Sequence, residues 1–212
     1  MKRFENKVCF VTASTQGIGF AIAERMAQEG GIVIICSRKE KNVKEAVEKL
    51  KAYKVEGYTC NIGSKDQRVA LLKKIGDKYG RIDVLVPNQA CSTHFGDQLN
   101  ITESQYDKLW DLNVKSVFFL IKEAKDLLLA SKNDANILIV SSVSGKNPHY
   151  TLGVYGMTKA SLDNLVIWMA QELMNDDIRV NGVAPGLIMT EFSGVLWKNN
   201  DMPHPKSKGT SE

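Results

Sequence analysis

Long apolar runs are absent from this chain of 212 residues. Its most apolar stretch is bracketed by Lys115 and Lys122, so no run reaches the roughly 18 residues that a membrane-spanning helix requires. The N-terminal residues, Met1 to Glu5, contain charged side chains and no apolar segment of the secretory type. A peroxisomal address is also missing, since that signal is read at the chain end and this chain ends in Thr210-Ser211-Glu212. We therefore predict a cytoplasmic protein.

Metal-ligand patterns are missing as well. The chain has four cysteines and three histidines, and neither set shows the spacing of a zinc site. We expect reduced thiols, surface or loop histidines, and no bound metal. The residues concerned are Cys9, Cys36, Cys60, Cys91, His94, His149 and His204.

A dominant charge of one sign is the third absence. The net charge of +4 includes lysines that alternate with glutamates between Lys39 and Lys51, which is typical of a solvated helix face. We therefore predict no nucleic-acid partner. Hydrophobic residues make up 43% of the chain, which is enough for one α/β domain with a substantial core.

What is present is an alternation of apolar, strand-like runs with amphipathic, helix-like segments. Ser64 and Thr102 each precede a glutamine by three residues, which predicts capping boxes at the start of two helices. Alternation of this kind favours a parallel sheet with helices on both faces, a doubly wound α/β fold whose ligands bind beyond the carboxyl ends of the strands. The predicted strands include residues 7–11, 32–36, 136–141 and 179–184.

The first predicted strand leads into a glycine-containing turn and then a helix. Gly17 and Gly19 lie in this turn, and apolar residues recur with helical spacing from Phe20 to Gln28. Backbone amides at the start of such a helix bind phosphate, and the glycines allow a close approach. Because a second strand follows at the distance of a βαβ unit, the sequence favours nucleotide binding over a merely tight connection.

Cations follow the second predicted strand, in Ser37-Arg38-Lys39. In dinucleotide-binding folds an acidic residue at this point binds the ribose 2′-hydroxyl, whereas a cation accommodates a 2′-phosphate. Arg38 can form paired hydrogen bonds with a phosphate, and Ser37 can donate one more. The sequence therefore predicts NADP(H) rather than NAD(H), and a solvated basic helix start is the alternative.

Tyr155 and Lys159 are four residues apart, so on a helix they lie on one face. A neighbouring ammonium favours the phenolate and lowers a tyrosine pKa that is ordinarily near 10. The pair therefore predicts a side chain that can give and take a proton near neutral pH, although the same spacing also occurs without a catalytic role.

Five motifs in order resemble the short-chain dehydrogenase/reductase family, from Val8 to about Trp197. Ser142 precedes Tyr155 by the thirteen positions that the family keeps, and Asn113 stands where the family has its catalytic asparagine. Short segments at 12–15, 36–39 and 184–188 are most similar to the NADP-dependent carbonyl and retinal reductases, many of them peroxisomal. The resemblance implies a Rossmann-type fold. The motifs are Thr12-Ala13-x-x-x-Gly17-Ile18-Gly19, Asn88-Gln89-Ala90-Cys91, Asp111-Leu112-Asn113-Val114-Lys115, Ser142 with Tyr155-x-x-x-Lys159, and Arg179 to Thr190.

The same resemblance implies a role for each site residue. Tyr155 protonates the substrate carbonyl, Lys159 lowers its pKa and binds the nicotinamide ribose, and Ser142 hydrogen-bonds the substrate oxygen. Asn113 holds a water that links Lys159 to solvent. The expected reaction is NADP(H)-dependent reduction of a ketone or aldehyde, or its reverse, with hydride from the cofactor. The implied cofactor-binding residues are Thr12, Ala13, Ser14, Thr15, Gly17, Ile18, Gly19, Ser37, Arg38, Asn61, Ile62, Asn88, Ala90, Tyr155, Lys159, Pro185, Gly186, Ile188 and Thr190.

Four residues depart from the family pattern. Ala13 replaces a glycine, which costs about 1–2 kcal/mol if the position requires a positive φ. Gln89 and Cys91 replace an asparagine and a glycine, and the bulkier Cys91 is expected to crowd the site. Asn61 replaces an aspartate that touches adenine, and its amide can make a similar hydrogen bond.

Apolar residues after the last motif predict a substrate lid. Phe192, Leu196 and Trp197 would cover a hydrophobic carbonyl compound held by Ser142 and Tyr155, while an amphipathic helix packed on the core is the alternative. The family also implies a homo-oligomer.

Residues 199–212 are polar, contain two prolines and show no periodicity, which predicts a disordered tail after a single domain of residues 1–198. We expect the last helix and strand of the family to be missing, with residues 179–184 left as a sheet edge. We accordingly expect a less stable, self-associating chain of weakened activity. A catalytically silent protein that binds a cofactor or a partner is the alternative function.

Overall fold

The computed structural model describes residues 2–132 and 135–194, and its centre is a six-stranded parallel sheet. The strands are β1 Val8–Val11, β2 Ile32–Ser37, β3 Val55–Thr59, β4 Val84–Val86, β5 Asn136–Val140 and β6 Arg179–Val183. Their spatial order is β3-β2-β1-β4-β5-β6, so the order reverses between β1 and β4. The predicted doubly wound sheet is confirmed, and the four strands that were given bounds from the sequence agree to within one residue at each end.

Helices connect the strands and cover both faces of the sheet. They are α1 Gly17–Gln28, α2 Glu40–Lys49, α3 Lys65–Tyr79, α4 Glu103–Trp110, α5 Ser116–Leu129 and α6 Gly153–Glu172. A π-helical turn, Asp111–Lys115, joins α4 to α5. Within residues 2–132 and 135–194, no helix is both long and apolar enough to cross a bilayer.

The core has two layers because successive residues of a strand point to opposite faces. Val8 and Phe10 of β1 pack with residues of α3, α5 and α6. Cys9 and Val11 pack with residues of α1 and α2. All four side chains are buried, as expected for a central parallel strand that is covered on both sides.

The two predicted capping boxes have different outcomes. At the start of α4 the Thr102 hydroxyl accepts from the Gln105 amide while the Gln105 side chain accepts from the Thr102 amide, so this box is confirmed. At the start of α3 the prediction is wrong, because the Ser64 side chain makes no capping bond. The Gln67 side chain instead accepts from the backbone N–H of Asn61, at 2.7 Å.

β6 forms one edge of the sheet among the described residues, pairing with β5. Arg179, Asn181 and Val183 of this strand are exposed, whereas Val180 is buried against α5 and α6. The predicted domain boundary at residue 198 and the predicted disordered tail, residues 199–212, lie outside the described residues.

Candidate active site

The carboxyl ends of β1, β2, β4, β5 and β6 open into one cleft of about 900 Å³, a size typical of cofactor sites. Most of the residues predicted from the sequence lie in its wall. These are Ala13, Thr15, Gly17, Ile18, Ser37, Arg38, Asn61, Ile62, Asn88, Ala90, Ser142, Tyr155, Lys159, Pro185, Gly186, Ile188, Thr190 and Phe192.

The turn between β1 and α1 has the shape of an anion-binding cradle. Helix α1 begins at Gly17, and the side chain of its N-cap residue, Gln16, makes no capping bond, so among the described residues the first amides remain available to a ligand. A Cβ on Gly19 would lie 2.4 Å from the Asn88 side-chain nitrogen and 2.7 Å from the Ala13 carbonyl oxygen, so only glycine fits there. Ala13 adopts a φ of +47°, and the strain considered from the sequence is therefore present, at about 1–2 kcal/mol.

Thr12 and Ser14 differ from the prediction, because both are buried rather than placed in the cleft wall. The Thr12 hydroxyl donates to the Gln89 side chain and accepts from the Asn88 amide. Gln89 in turn donates to the Ser116 hydroxyl at 2.9 Å. Gln89, which departs from the family pattern, thus connects the end of β1 to the start of α5. The buried Thr12 and Ser14 side chains support the glycine turn from the side away from the cleft.

The basic segment after β2 faces the cleft. Ser37, Arg38 and Lys39 all line it, and the Arg38 side chain is exposed. Glu40, which begins α2, does not line the cleft, and its carboxylate pairs with Lys44. Among the described residues that line the cleft, Glu191 is the one carboxylate, so the environment of Arg38 suits an anionic ligand.

Ser142, Tyr155 and Lys159 come together where β5 meets α6. The Ser142 hydroxyl and the Tyr155 phenol line the same part of the cleft, and the Lys159 ammonium lies 5.6 Å from the centre of the Tyr155 ring. Lys159 is 1% exposed, and its ammonium donates to the Val140 carbonyl at 2.9 Å. Two adjoining elements thus present a hydroxyl, a phenol and an ammonium to one cleft.

The pKa values in this cluster follow burial. Burial raises the pKa of Tyr155 to about 12, and this effect is larger than the lowering caused by the neighbouring Ser142 hydroxyl. Burial lowers the pKa of Lys159 to about 8. The predicted lowering of the Tyr155 pKa by Lys159 is therefore not what the structure shows, because burial of the phenol has the larger effect on its pKa. At neutral pH the phenol is protonated and able to donate.

Asn113 lies in the π-helical turn and is fully buried. Its side-chain amide donates to the Cys91 carbonyl at 3.0 Å and to the Thr158 hydroxyl at 3.1 Å, and its oxygen accepts from the Cys91 N–H at 2.8 Å. Both donors are used, so in this structure Asn113 fastens the segment after β4 to α6 rather than presenting an N–H to water.

Cys91 does not crowd the cleft as predicted. It is absent from the cleft wall, and its sulfur contacts the Lys108 carbonyl oxygen at 3.6 Å. The neighbouring Ala90 and Ser92 line the cleft instead. Asn61 lines the cleft too, with its side-chain oxygen accepting from the Gly63 amide at 3.1 Å.

The segment after β6 crosses the cleft from one end to the other. The Thr190 methyl group would lie 3.3 Å from a Cβ on Gly17, and the Phe192 ring centre is 6.0 Å from that of Tyr155. Phe192 therefore lies beside Tyr155, and its role as a substrate lid stays a prediction. The other two predicted lid residues, Leu196 and Trp197, lie outside the described residues.

Several cleft residues were missed by sequence reasoning. His149 was interpreted as an ordinary surface or loop histidine, yet it lines the cleft, where its ring accepts or donates a hydrogen bond with Thr151 at 2.8 Å. Its position between Ser142 and Tyr155 was the available signal, since a loop that joins two candidate catalytic residues borders the candidate site. The other missed residues include Asn42, Ser92, Phe95, Val143, Ser144, Asn147, Leu152, Met189, Glu191 and Ser193.

Comparison with known proteins identifies the family of this chain. The family model described as short chain dehydrogenase matches residues 7–201. A protein named tropinone reductase-like 3, from Erythroxylum coca, is 44% identical over 95% of this chain and 77% of its own length. Dehydrogenase/reductase SDR family member 4 of Bos taurus is 42% identical over 92% of this chain and 70% of its own.

Among solved structures, an NADP active-site complex of RhlG from Pseudomonas aeruginosa superposes with a TM-score of 0.87. It is 28% identical, and the match covers 92% of this chain and 78% of that one. The resemblance predicted from the five motifs is thereby confirmed. The chain belongs to the short-chain dehydrogenase family of oxidoreductases, whose cofactors are nicotinamide nucleotides.

Proposed function

We propose that this chain is an NADP(H)-dependent carbonyl reductase that also oxidises the corresponding alcohols. The observation that carries the proposal is the placement of Ser142 and Tyr155 in one part of a cleft that also contains Arg38. The first feature is suited to a carbonyl oxygen and the second to a phosphate.

The cleft fits a dinucleotide with an additional phosphate. The uncapped amides of α1 suit the pyrophosphate, and Gly19 leaves no Cβ in the way. Ser37, the last residue of β2, and Arg38, which follows it, would bind a 2′-phosphate. The bound nicotinamide cofactor supplies the hydride.

The chain's own residues supply orientation and the proton. Ser142 and Tyr155 would both hydrogen-bond the substrate carbonyl oxygen, so that negative charge developing there meets donors already in position. Tyr155, with a pKa raised to about 12, then transfers its proton to that oxygen. Lys159, with a pKa near 8, can return a proton to the phenolate at a pH close to neutral.

The walls beside Tyr155 indicate a mainly apolar substrate. Phe95, Leu152 and Phe192 line this part of the cleft, and His149 and Asn147 are polar side chains at its border. A ketone, aldehyde or dicarbonyl with a hydrophobic body would bury that body against the aromatic rings while its oxygen reaches Ser142.

The test is turnover and binding measured on the same preparation. NADPH oxidation is followed with aromatic and aliphatic ketones, aldehydes and dicarbonyls, and NADPH and NADH binding is titrated by fluorescence. We expect turnover of at least one hydrophobic carbonyl compound and tighter binding of NADPH than of NADH. Tight NADPH binding without turnover across the panel would contradict the reductase and favour a silent cofactor-binding protein. Equal binding of the two nucleotides would contradict the proposed role of Arg38.

A further inference from the structure

Two cysteines that the proposed reaction does not use lie beside Arg38, at the ends of β2 and β3. Cys36 is the penultimate residue of β2, and Cys60 follows β3 directly. Ser37 pairs with Thr59 in the parallel register, and the Cys60 N–H donates to the Ser37 carbonyl at 2.9 Å. Both cysteines belong to the same core layer, so their side chains point to the same face of the sheet.

The two thiols lie on neighbouring strands, in one core layer, at the base of the cleft. Cys36 is 1% and Cys60 2% exposed, yet both form part of the cleft wall. The interaction between them raises the pKa of Cys36 and lowers that of Cys60. The buried Arg68 guanidinium also lowers the pKa of Cys60.

The remaining two cysteines have different surroundings. Burial raises the pKa of Cys9 to about 12, and burial also raises that of Cys91. Since the thiolate is the reactive form of cysteine, Cys60 is the one thiol of the four whose environment promotes reaction.

We propose that Cys36 and Cys60 are an oxidisable dithiol, which hydrogen peroxide converts to a disulfide when the cofactor cleft is open. The Cys60 thiolate attacks the peroxide, forming a sulfenic acid and releasing hydroxide. The Cys36 thiol then displaces the sulfenic hydroxyl, and its proton leaves with that group as water. In total, two thiols are oxidised, one peroxide is reduced and two waters form. A dithiol reductant restores the pair by exchange.

Oxidation is coupled to cofactor binding through the glycine turn, a consequence that rests on the proposed function. The Ser14 N–H donates to the Cys36 carbonyl at 3.1 Å, and the Cys36 N–H donates to the Ser14 hydroxyl at 3.2 Å. Bringing the sulfurs to a bond length of about 2.05 Å must displace the strand ends that carry Ser14 and Arg38. By linkage, a disulfide that weakens NADPH binding is itself disfavoured by bound NADPH to the same extent.

The test exposes the full chain to hydrogen peroxide with and without saturating NADPH. Thiol-blocked digests are then mapped by mass for a linked Cys36–Cys60 peptide. We expect this peptide without NADPH, about tenfold less of it with NADPH, and its loss after dithiothreitol. The dissociation constant for NADPH should rise about tenfold on oxidation, within the usual range of coupling between sites.

Serine variants of the two cysteines show which thiol reacts with the peroxide and which one then forms the disulfide. In Cys36→Ser the Cys60 sulfenic acid should persist and be trapped by dimedone, while Cys60→Ser should give neither adduct nor linked peptide. Cys9→Ala is the matched control, since Cys9 lies in the opposite core layer, and it should retain the linked peptide.

No linked peptide in the wild-type chain, or links that involve Cys9 or Cys91 instead, would overturn the inference, and this readout requires no variant to fold. The map is also independent of which nucleotide binds. A reduced chain that binds no nucleotide therefore contradicts the proposed function, whereas NADPH binding without the linked peptide contradicts the dithiol alone.

Discussion

The two ends of the cleft are held together in different ways. At the glycine turn, the groups that face the cleft are mostly backbone of one βαβ unit, and bonds of buried hydroxyls, such as those of Ser14 with Cys36 and of Thr12 with Gln89, hold them. At the Tyr155 end, buried side chains of separate elements bond to one another and to the backbone. Asn113 bonds Thr158, 45 residues away, and Lys159 bonds Val140, 19 residues away.

Because the two ends of the cleft are built differently, we expect each of them to control a different property. On the proposed function, the cradle, which is mostly backbone and one cation, would determine nucleotide affinity and cofactor choice. The Tyr155 end consists of buried side chains with shifted pKa values, so on the same proposal it would determine turnover and carry a cost in stability. Mutations at the two ends should therefore affect different measurements.

The largest effect is expected for Tyr155→Phe. The substitution removes the proton donor and keeps the ring, so turnover should fall by about 10²–10⁴-fold while NADPH affinity changes little. Steady-state kinetics with a fluorescence titration check both. Tyr150→Phe, a nearby exposed tyrosine outside the cleft wall, is the control and should stay near wild type. If the two variants turn over alike, Tyr155 is not the acid.

Lys159→Met should stabilise the fold while it abolishes turnover. In the folded wild type, burial lowers the pKa of the Lys159 ammonium from 10.5 to about 8, which reduces the free energy of unfolding at pH 7 by about 3 kcal/mol. The methionine removes this cost but also loses the hydrogen bond to Val140, which offsets about 1 kcal/mol of the stabilisation. Between pH 8 and about 10, Lys159 is protonated in the unfolded chain and deprotonated in the folded chain, so the stability of the wild type should rise with pH. The difference in unfolding free energy between the wild type and Lys159→Met should therefore narrow over this range.

Urea unfolding at pH 7, 8, 9 and 10 measures that gap. Lys122→Met, at an exposed position on α5, provides the control and should show no such convergence. A gap that stays constant across this range would mean that Lys159 is not a desolvated ammonium in the folded chain.

Arg38→Asp should act on the other end alone. Replacing the cation with an anion should weaken NADPH binding by about 10- to 100-fold, with much less effect on NADH, because repulsion replaces a charge-assisted bond. Lys41→Asp makes the same charge change beside the cleft, outside its wall, and should leave the preference intact. Fluorescence titration of each variant with NADPH and with NADH measures this preference. An unchanged preference for NADPH in Arg38→Asp would show that residues other than Arg38 determine it.

The smallest of these effects is expected for Asn113→Ala. The change leaves the Cys91 N–H and carbonyl without their partner, so unfolding free energy should drop by about 1–2 kcal/mol, and turnover should fall more than NADPH affinity. Asn164→Ala, at an exposed site on α6, is the comparison variant for urea unfolding. Equal midpoints for the two would argue against the fastening role of Asn113.

Short-range patterns predicted the sheet and the cradle because they depend on neighbouring residues. Strand runs, helical spacing and the Thr102 box needed no knowledge of distant contacts. The Ser64 box failed because Asn61, on the preceding loop, offers its N–H to Gln67. The pKa of Tyr155 was misjudged for a related reason: spacing places Lys159 nearby, but only packing decides how deep both side chains lie and that Val140 accepts the ammonium.

The π-helical turn of Asp111–Lys115 gives this region an unusual sensitivity to length. Each residue of an α-helix advances the side-chain direction by about 100°, so the wider turn resets the rotational phase between α4 and α5. Leu109 of α4 can then pack beside Tyr155 while Val117 of α5 packs on the sheet. Deleting one residue here would make the helix regular. It would also rotate either the buried face of α4, which contains Leu109, or that of α5, which contains Val117, away from the residues on which it packs. Point substitutions at exposed positions should therefore be tolerated where a one-residue deletion is not.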